Sequence, residues 1–179
     1  MAKKEKLTAE EKAKMLEEER CKRYNQVMAM YKIEPDKVEL LGQDNKCTYL
    51  HNPDNYRLLR EVVENSRITI DLKAYTDVFI MDVFYEKPKN FVAMIKRVGS
   101  KDLANPLLRD KKLVITVNGD QYACLSDQRK KYYLLRELSR LTFNEEKDQY
   151  KILKYDYQNN EQLIELYGIH PTEESIAEL

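Results

Sequence analysis

The first predicted element is a helix whose apolar positions are concentrated in its second half. Thr8 and Glu11 have the spacing of a capping box, so the helix is predicted to begin at Thr8 and to run to about residue 31. Four apolar or aromatic residues, three or four positions apart, form one predicted buried stripe: Tyr24, Val27, Met28 and Tyr31. The first half is rich in Glu and Lys, so the helix is expected to project before it docks.

A second predicted helix follows a stretch with little periodicity. Residues 33–52 are interpreted as loop, with one short strand near Val38–Leu41. Asp54 or Asn55 is a suitable N-cap for a helix that ends at Asn65 and Ser66. Its predicted apolar face consists of Leu58, Leu59, Val62 and Val63.

The middle of the chain changes to patterns that favour strands. Ile68 and Ile70 alternate with polar residues, and Val78–Tyr85 is an apolar, β-branched and aromatic run. Phe91–Arg97 fits a strand or a helix, whereas Ser100–Leu108 is interpreted as a short helix interrupted by a proline. Leu113–Val117 is the clearest predicted buried strand, and the residues after it, Asn118, Gly119 and Asp120, are interpreted as a turn.

The last third is predicted to be mainly helical. Ser126 is a candidate N-cap for a helix with apolar residues at helical spacing, namely Tyr133, Leu134, Leu138 and Leu141. A loop at Asn144–Asp148 and a strand or turn at Ile152 and Leu153 precede a final helix, which runs from about Gln158 to Tyr167. Gly168 stands where a helix commonly ends. The whole pattern predicts an α+β fold with a small mixed sheet packed against helices, divided into an N-terminal helix over 1–33 and one domain over 34–179.

Composition narrows the class of protein but identifies no partner. The 179 residues are 35% charged with a net formal charge of zero, as expected of a chain with many surface ion pairs. No apolar run or signal-like start is evident, so we expect a cytoplasmic protein without a membrane contact. Three cysteines and two histidines without ligand spacing argue against a disulfide framework and against a three-histidine zinc site, and no cofactor is expected.

One helical segment has the layout of a metallopeptidase zinc helix but lacks its ligands. In an H-E-x-x-H helix two histidines four positions apart bind zinc, and the glutamate between them acts as general base. Glu137 here occupies the glutamate position, whereas Arg136 and Arg140 stand at the ligand positions. A guanidinium group is permanently protonated and has no lone pair to offer a metal.

The order of segments from about Leu113 to Gly168 resembles the putative metallopeptidases of bacteriophages, a zincin-like family. The shared features are the buried strand, Asn118-Gly119-Asp120, Glu137-Leu138, Asp156 and Tyr167-Gly168. The resemblance implies a zincin-like core in which Tyr155 replaces the third zinc-binding histidine. It therefore implies a degenerate member of the family that does not bind zinc.

Three interpretations of the two arginines remain open at this point. Arg136 and Arg140 lie on a solvated helix face, or they form a closed ion cluster with Glu137 and Asp156, or together with Tyr155 they form a notch for an anion or a partner. The candidate site residues are therefore Arg136, Glu137, Arg140, Tyr155 and Asp156.

The functional expectation follows from the resemblance and from the missing ligands. We expect a non-catalytic phage-type protein that binds and modulates a host macromolecule, with a transcription, replication or defence protein as the first target class. One alternative is a metal-dependent hydrolase with a shifted site built from His51, Glu145, Glu146 and Asp156. A second alternative is a nucleic-acid-binding accessory protein that uses the basic segment 87–131, which contains eleven Lys or Arg and only four Asp.

Overall fold

A five-stranded mixed sheet organises the computed structural model, which describes residues 8–44, 46–100, 102–155, 161–177 and 179. The strands are β1 (Glu39–Gln43), β2 (Cys47–His51), β3 (Val78–Tyr85), β4 (Ala93–Arg97) and β5 (Leu113–Asn118), in the spatial order β1-β2-β3-β5-β4. Only the β3–β5 pair among them is parallel; the other neighbours are antiparallel. Two further strands, β6 (Leu141–Asn144) and β7 (Gln149–Ile152), form a separate hairpin.

The helices are α1 (Ala9–Met30), α2 (Asp54–Asn65), α3 (Gly119–Tyr122), α4 (Asp127–Leu138) and α5 (Glu161–Tyr167). The capping box predicted at the start of α1 is present, since the Thr8 side chain accepts from the Glu11 N–H and the Glu11 carboxylate accepts from the Thr8 N–H. Ser126 caps α4 as predicted, by accepting from the Arg129 N–H. The last predicted helix began at about Gln158; its first positions lie outside the described residues.

The main core lies between one face of the sheet and the helices α2 and α4. Alternate residues of the sheet, such as Ile80 and Ile115, pack against the buried faces of the two helices, which supply Leu58, Leu59, Val62, Leu134, Leu135 and Leu138. Every second residue of a strand points to the same face of the sheet, and apolar residues three or four positions apart lie on one face of a helix. The core forms where these two apolar faces meet. A smaller cluster on the opposite face, formed by Phe79, Leu108 and Val114, lies under two 3₁₀ turns at Asp102–Ala104 and Pro106–Leu108.

The N-terminal helix docks only by its C-terminal end. Met28 is buried against Leu50 and Phe84, and the rest of the predicted stripe packs around this contact. By contrast, all residues from Thr8 to Glu19 are exposed. The first two turns of α1, residues 9–16, therefore extend away from the sheet, and we refer to them as the extended part of α1.

Several predicted elements differ from the structure. The stretch 33–52 is more ordered than the predicted loop, because β1 and β2 form an antiparallel pair within it, and His51 ends β2. Ile68 and Ile70 are not in a strand, although Ile68 is buried: their alternation places side chains in the core without a neighbouring strand to pair with. The predicted turn after β5 is instead the start of α3, and Leu141 belongs to β6 rather than to the helix.

A glycine at the junction of β5 and α3 permits a close contact with an aromatic ring. A Cβ atom built on Gly119 would lie 2.5 Å from the Cζ atom of Phe84, far inside van der Waals contact. We expect Gly119→Ala to lower the free energy of unfolding by about 1–3 kcal/mol, the usual cost of overpacking. Urea denaturation measures this loss.

Gly42→Ala is the matched control, because nothing lies within 4 Å of a Cβ atom built there. It should leave the urea midpoint nearly unchanged. Equal effects at the two glycines would contradict the close contact between Gly119 and Phe84.

Candidate functional site

The C-terminal end of α4 places an acidic side chain beneath the sheet edge. Leu134, Leu135 and Leu138 anchor the helix in the core, and this orientation directs Glu137 toward β4. Glu137 is 0% exposed. An ionised carboxylate at such a depth is retained only if hydrogen bonds and opposite charges compensate for its lost hydration.

Four donors surround the Glu137 carboxylate. Its Oε2 atom accepts from the backbone N–H of Ile95 at 3.1 Å and from the Arg140 Nη1 atom at 2.7 Å. Its Oε1 atom accepts from the Arg136 Nη2 atom at 3.2 Å and from the Tyr155 hydroxyl. A carboxylate offers about four lone-pair positions. The acceptor capacity of Glu137 is therefore taken up within the protein.

The two arginines are fixed by further contacts on both sides. Arg140 donates from Nε to the Leu153 carbonyl at 2.9 Å, and Arg136 donates from Nη2 to the Ala93 carbonyl at 3.4 Å. The Arg140 guanidinium lies 3.9 Å from the centroid of the Tyr155 ring, within the range of a cation–π contact. Arg136 lies 5.1 Å from the same ring. We refer to Arg136, Glu137, Arg140 and Tyr155 as the Glu137 cluster.

Tyr155 closes the Glu137 cluster on its solvent side. Its residue surface is 49% exposed, while its hydroxyl points inward to Glu137. Burial of that hydroxyl, followed by the negative charge of Glu137, raises the pKa of the Tyr155 phenol, so it remains a neutral donor. The cluster therefore contains two guanidinium cations, one carboxylate and one neutral phenol, which leaves one positive charge in excess.

The same side chains cap the free backbone groups of an edge strand. At the two ends of the β4–β5 pair, the Val92 carbonyl accepts from the Asn118 N–H and the Val98 N–H donates to the Lys112 carbonyl. The backbone groups of the alternate positions Ala93 and Ile95 therefore face outward. Arg136 and Glu137 satisfy an acceptor and a donor on that outer side. An incoming peptide strand would have to displace both side chains before it could pair at these positions.

The structure thus brings together four of the five candidate residues, and the fifth, Asp156, lies outside the described residues. The geometry is that of the closed ion cluster and not of a solvated helix face, since the Arg136 and Arg140 side chains are only 26% and 12% exposed. The backbone partners on Ala93, Ile95 and Leu153 were not anticipated. Backbone groups leave no signal in the sequence, so only the fold reveals them.

Candidate metal ligands are not gathered in the described part of the chain. No three His, Cys, Asp or Glu side chains within it lie close enough to bind a metal ion together. The alternative ligand set is correspondingly dispersed: His51 packs between the rings of Tyr56 and Phe79, whereas Glu145 and Glu146 lie in the turn between β6 and β7. His51 lies in the stretch 33–52 that was predicted to be mainly loop, but it is a partly buried strand residue.

The sequence patterns did not predict a second group of buried polar residues, which lies away from the Glu137 cluster. Asp82 is buried within β3, and Asn55 and Tyr122 are buried beside it. The available signal was an aspartate in the middle of the apolar run Val78–Tyr85, a position where a charge requires a specific partner.

Comparison with known proteins supplies no assignment for either group. No family model matches the chain, and neither the curated proteins nor the solved structures contain a match to it. Within the described residues, none of the helices has the length and apolar character needed to cross a bilayer.

Proposed function

We propose that the protein is non-catalytic and acts by binding another macromolecule, with a zincin-like core retained as a scaffold. The observation that carries this proposal is the saturation of Glu137, the residue in the general-base position, by four donors. A general base needs a free lone pair and a water molecule or substrate within hydrogen-bond reach. Glu137 has neither a free position nor exposed surface.

The cost of opening the cluster supports the same proposal. Movement of one arginine away would leave a buried carboxylate short of a partner, and breaking buried ion pairs in this way typically costs about 3–5 kcal/mol. Such a penalty is a large fraction of the stability of a small domain. An active conformation reached by that route would be rarely populated.

The zincin-like part of the proposal rests on the order of segments. A buried strand, β5, leads through a short connection into α4, and the chain then returns past the Glu137 cluster before the last helix, α5. The sequence resemblance to phage peptidases spans these segments. We propose that the arginines and Tyr155 occupy the place where that family holds its metal.

The proposed partner is a protein of a bacterial host, in the cytoplasm, whose activity is modulated by binding. Support comes from the extended part of α1, where Met15 and Leu16 are exposed despite their apolar character. Apolar side chains on a projecting, charged helix are suited to contact with another protein surface. Nucleic acid is the less favoured partner, because Lys96, Lys112 and Arg129 of the basic segment are already paired with carboxylates.

The absence of catalysis is directly testable. We expect purified protein to contain no stoichiometric zinc by elemental analysis and to leave casein and peptide substrates uncleaved, because arginine cannot donate a lone pair to a metal. Chelator treatment should leave the melting temperature unchanged, since bound metal would contribute to the free energy of folding. One tightly bound equivalent of metal, together with a fall in melting temperature on chelation, would contradict the proposal.

The partner is tested by affinity capture from bacterial lysate with surface variants. Met15→Glu/Leu16→Glu alters the extended part of α1, and Tyr155→Ala removes the ring that covers both guanidinium groups. Arg57→Ala is the control, because Arg57 lies in exposed ion pairs on another surface. The proposal predicts a specific protein that the wild type and Arg57→Ala recover and that at least one other variant loses. Equal recovery by all four proteins would exclude both surfaces as the contact.

A further inference from the structure

A cavity of about 240 Å³ lies on the helical side of the sheet, away from the Glu137 cluster. It opens to solvent and is bordered by the segment 31–38 after α1, the start of α2, β3, α3 and the first turn of α4. Its lining includes the neutral polar side chains of Asn52, Asn55, Tyr31 and Tyr122, three lysines and three carboxyl residues; the charged residues are Lys32, Lys37, Lys130, Glu34, Asp54 and Asp82. Asn55, Asp82 and Tyr122 are buried and lie at its inner end.

The polar groups of this cavity are only partly satisfied by the protein. The Asp82 Oδ1 atom accepts from the Asn55 Nδ2 atom at 2.6 Å, and Asn52 donates to the same carboxylate. A carboxylate accepts about four hydrogen bonds, so capacity remains for two further donors. The Tyr122 hydroxyl, on a residue only 2% exposed, has no hydrogen-bond partner among the described residues.

An unpaired buried hydroxyl is costly and therefore informative. A buried polar group without a partner typically costs about 1–3 kcal/mol, and such groups in folded proteins usually have a partner. Burial raises the pKa of the Tyr122 phenol, so it remains neutral and can both donate and accept. An unpaired hydroxyl and a carboxylate with spare acceptor capacity, which line the same cavity, favour a polar ligand in it.

The chemistry of the lining selects among classes of ligand. Above its pKa of about 7 Asp82 is ionised and accepts hydrogen bonds, which a carboxylate ligand cannot donate, and an ammonium group cannot accept from Tyr122 or Lys130. A hydroxyl both donates and accepts, and the equal numbers of lysines and carboxyl residues in the lining favour a ligand without net charge. The aromatic rings of Tyr31 and Tyr122 supply apolar wall area. The volume is below that of most drug-sized sites and suits a single ring.

We propose that this cavity binds a neutral polyhydroxyl molecule of the size of one sugar ring, held by Asp82, Tyr122 and Lys130. The same chemistry is found in a free monosaccharide and in the ribose of a nucleoside. The inference does not depend on the proposed partner-binding function, because the cavity is separate from the Glu137 cluster and from the extended part of α1.

Saturation-transfer NMR with the full chain tests this site with D-ribose, D-glucose and adenosine as separate probes. We expect transfer to the ring protons of at least one probe. Transfer to the free sugars would identify a monosaccharide site, and transfer to adenosine alone would identify a nucleoside site. Methylammonium and methyl phosphate, whose methyl protons can receive saturation, serve as charged comparison probes, and binding of these alone would overturn the proposal, as would transfer to none of the five.

A single substitution separates ligand binding from folding. Tyr122→Phe removes one oxygen that has no partner in the protein, so its melting temperature should equal or exceed that of the wild type. Its dissociation constant for the bound probe should rise about three- to tenfold, the effect of one neutral hydrogen bond. Tyr75→Phe, at an exposed tyrosine, is the control and should bind like the wild type.

Asp82→Asn supplies a second, independent variant. At about pH 8, above the pKa of about 7 of Asp82, the substitution keeps the shape of the side chain but removes the charge that strengthens its hydrogen bonds, so binding should weaken about tenfold or more. If Tyr122→Phe and Asp82→Asn both bind the probe as tightly as the wild type, the ligand lies elsewhere and the proposal is wrong.

Discussion

Glu137→Ala is expected to lower the free energy of unfolding by about 3–5 kcal/mol. The substitution removes the only carboxylate of the Glu137 cluster and leaves two arginines with like charges held close together by their remaining contacts. It also leaves the backbone N–H of Ile95 without its acceptor. Urea denaturation followed by circular dichroism measures the loss.

Two further variants test whether unpaired buried charge causes the loss of stability in Glu137→Ala. Asp148→Ala removes a carboxylate whose ion pairs with Lys73 and Lys112 are exposed, so its effect should be much smaller. Simultaneous replacement of Arg136, Glu137 and Arg140 by Met, Leu and Met should retain more stability than Glu137→Ala, because no buried charge is left unpaired. A loss below about 1 kcal/mol for Glu137→Ala would show that the cluster does not stabilise the fold.

Stability is also expected to fall as the pH rises from about 4 to about 7, because of Asp82. Burial raises the pKa of this carboxyl from 3.8 to about 7, against the opposing effects of Asn55, Lys130 and Asn52. Within this pH window the folded protein keeps the proton that the unfolded chain releases, so the unfolded state gains stability as the pH increases. A shift of about 3 pH units corresponds to about 4 kcal/mol.

Asp82→Asn isolates this contribution. Asparagine does not ionise, so the difference in unfolding free energy between the variant and the wild type should change in favour of the variant between pH 4 and pH 7. Asp54→Asn, at an exposed carboxyl of the same cavity, is the control and should follow the wild type. A constant difference between Asp82→Asn and the wild type across this range would show that Asp82 ionises normally in the fold.

The elements that sequence patterns predict well are those whose side-chain period matches their burial. The run Val78–Tyr85 coincides with β3, and Leu113–Val117 lies within β5, because both strands are buried and carry β-branched or aromatic residues. The helices α1 and α4 have the predicted caps, and α2 has the predicted apolar face, but the N-cap of α2 is Pro53, without a side-chain hydrogen bond, and not Asp54 or Asn55. Local chemistry is enough to define such elements.

The missed strands depend on pairing that the sequence does not display. β2 begins at Cys47 and is held by β1 on one side and β3 on the other, so its partners lie outside its own segment. β6 is a four-residue strand that follows α4 after a two-residue turn, and its first residue, Leu141, fitted the helical pattern. Conversely, Ile68 and Ile70 alternate like a strand but have no ladder partner.

The candidate site was predictable in its residue types but not in its complete geometry. The spacing of Arg136, Glu137 and Arg140 predicted that they lie near one another, although Arg140 is two residues beyond the end of α4, and the resemblance added Tyr155. The sequence did not predict that β4 takes part in the site, because β4 contributes only the backbone groups of Ala93 and Ile95 to these hydrogen bonds. The Asp82 cavity was missed for a related reason: its members come from five elements that only the tertiary fold assembles.

The capped edge of β4 has a consequence for partly unfolded states. When α4 detaches, Arg136 no longer donates to the Ala93 carbonyl and Glu137 no longer accepts from the Ile95 N–H. These backbone groups of the edge strand are then free to pair with a strand of another copy of the chain. Local opening would then lead to intermolecular β-pairing before global unfolding is complete. Precipitation, and not reversible melting, is the expected end of thermal unfolding for variants with a weakened Glu137 cluster.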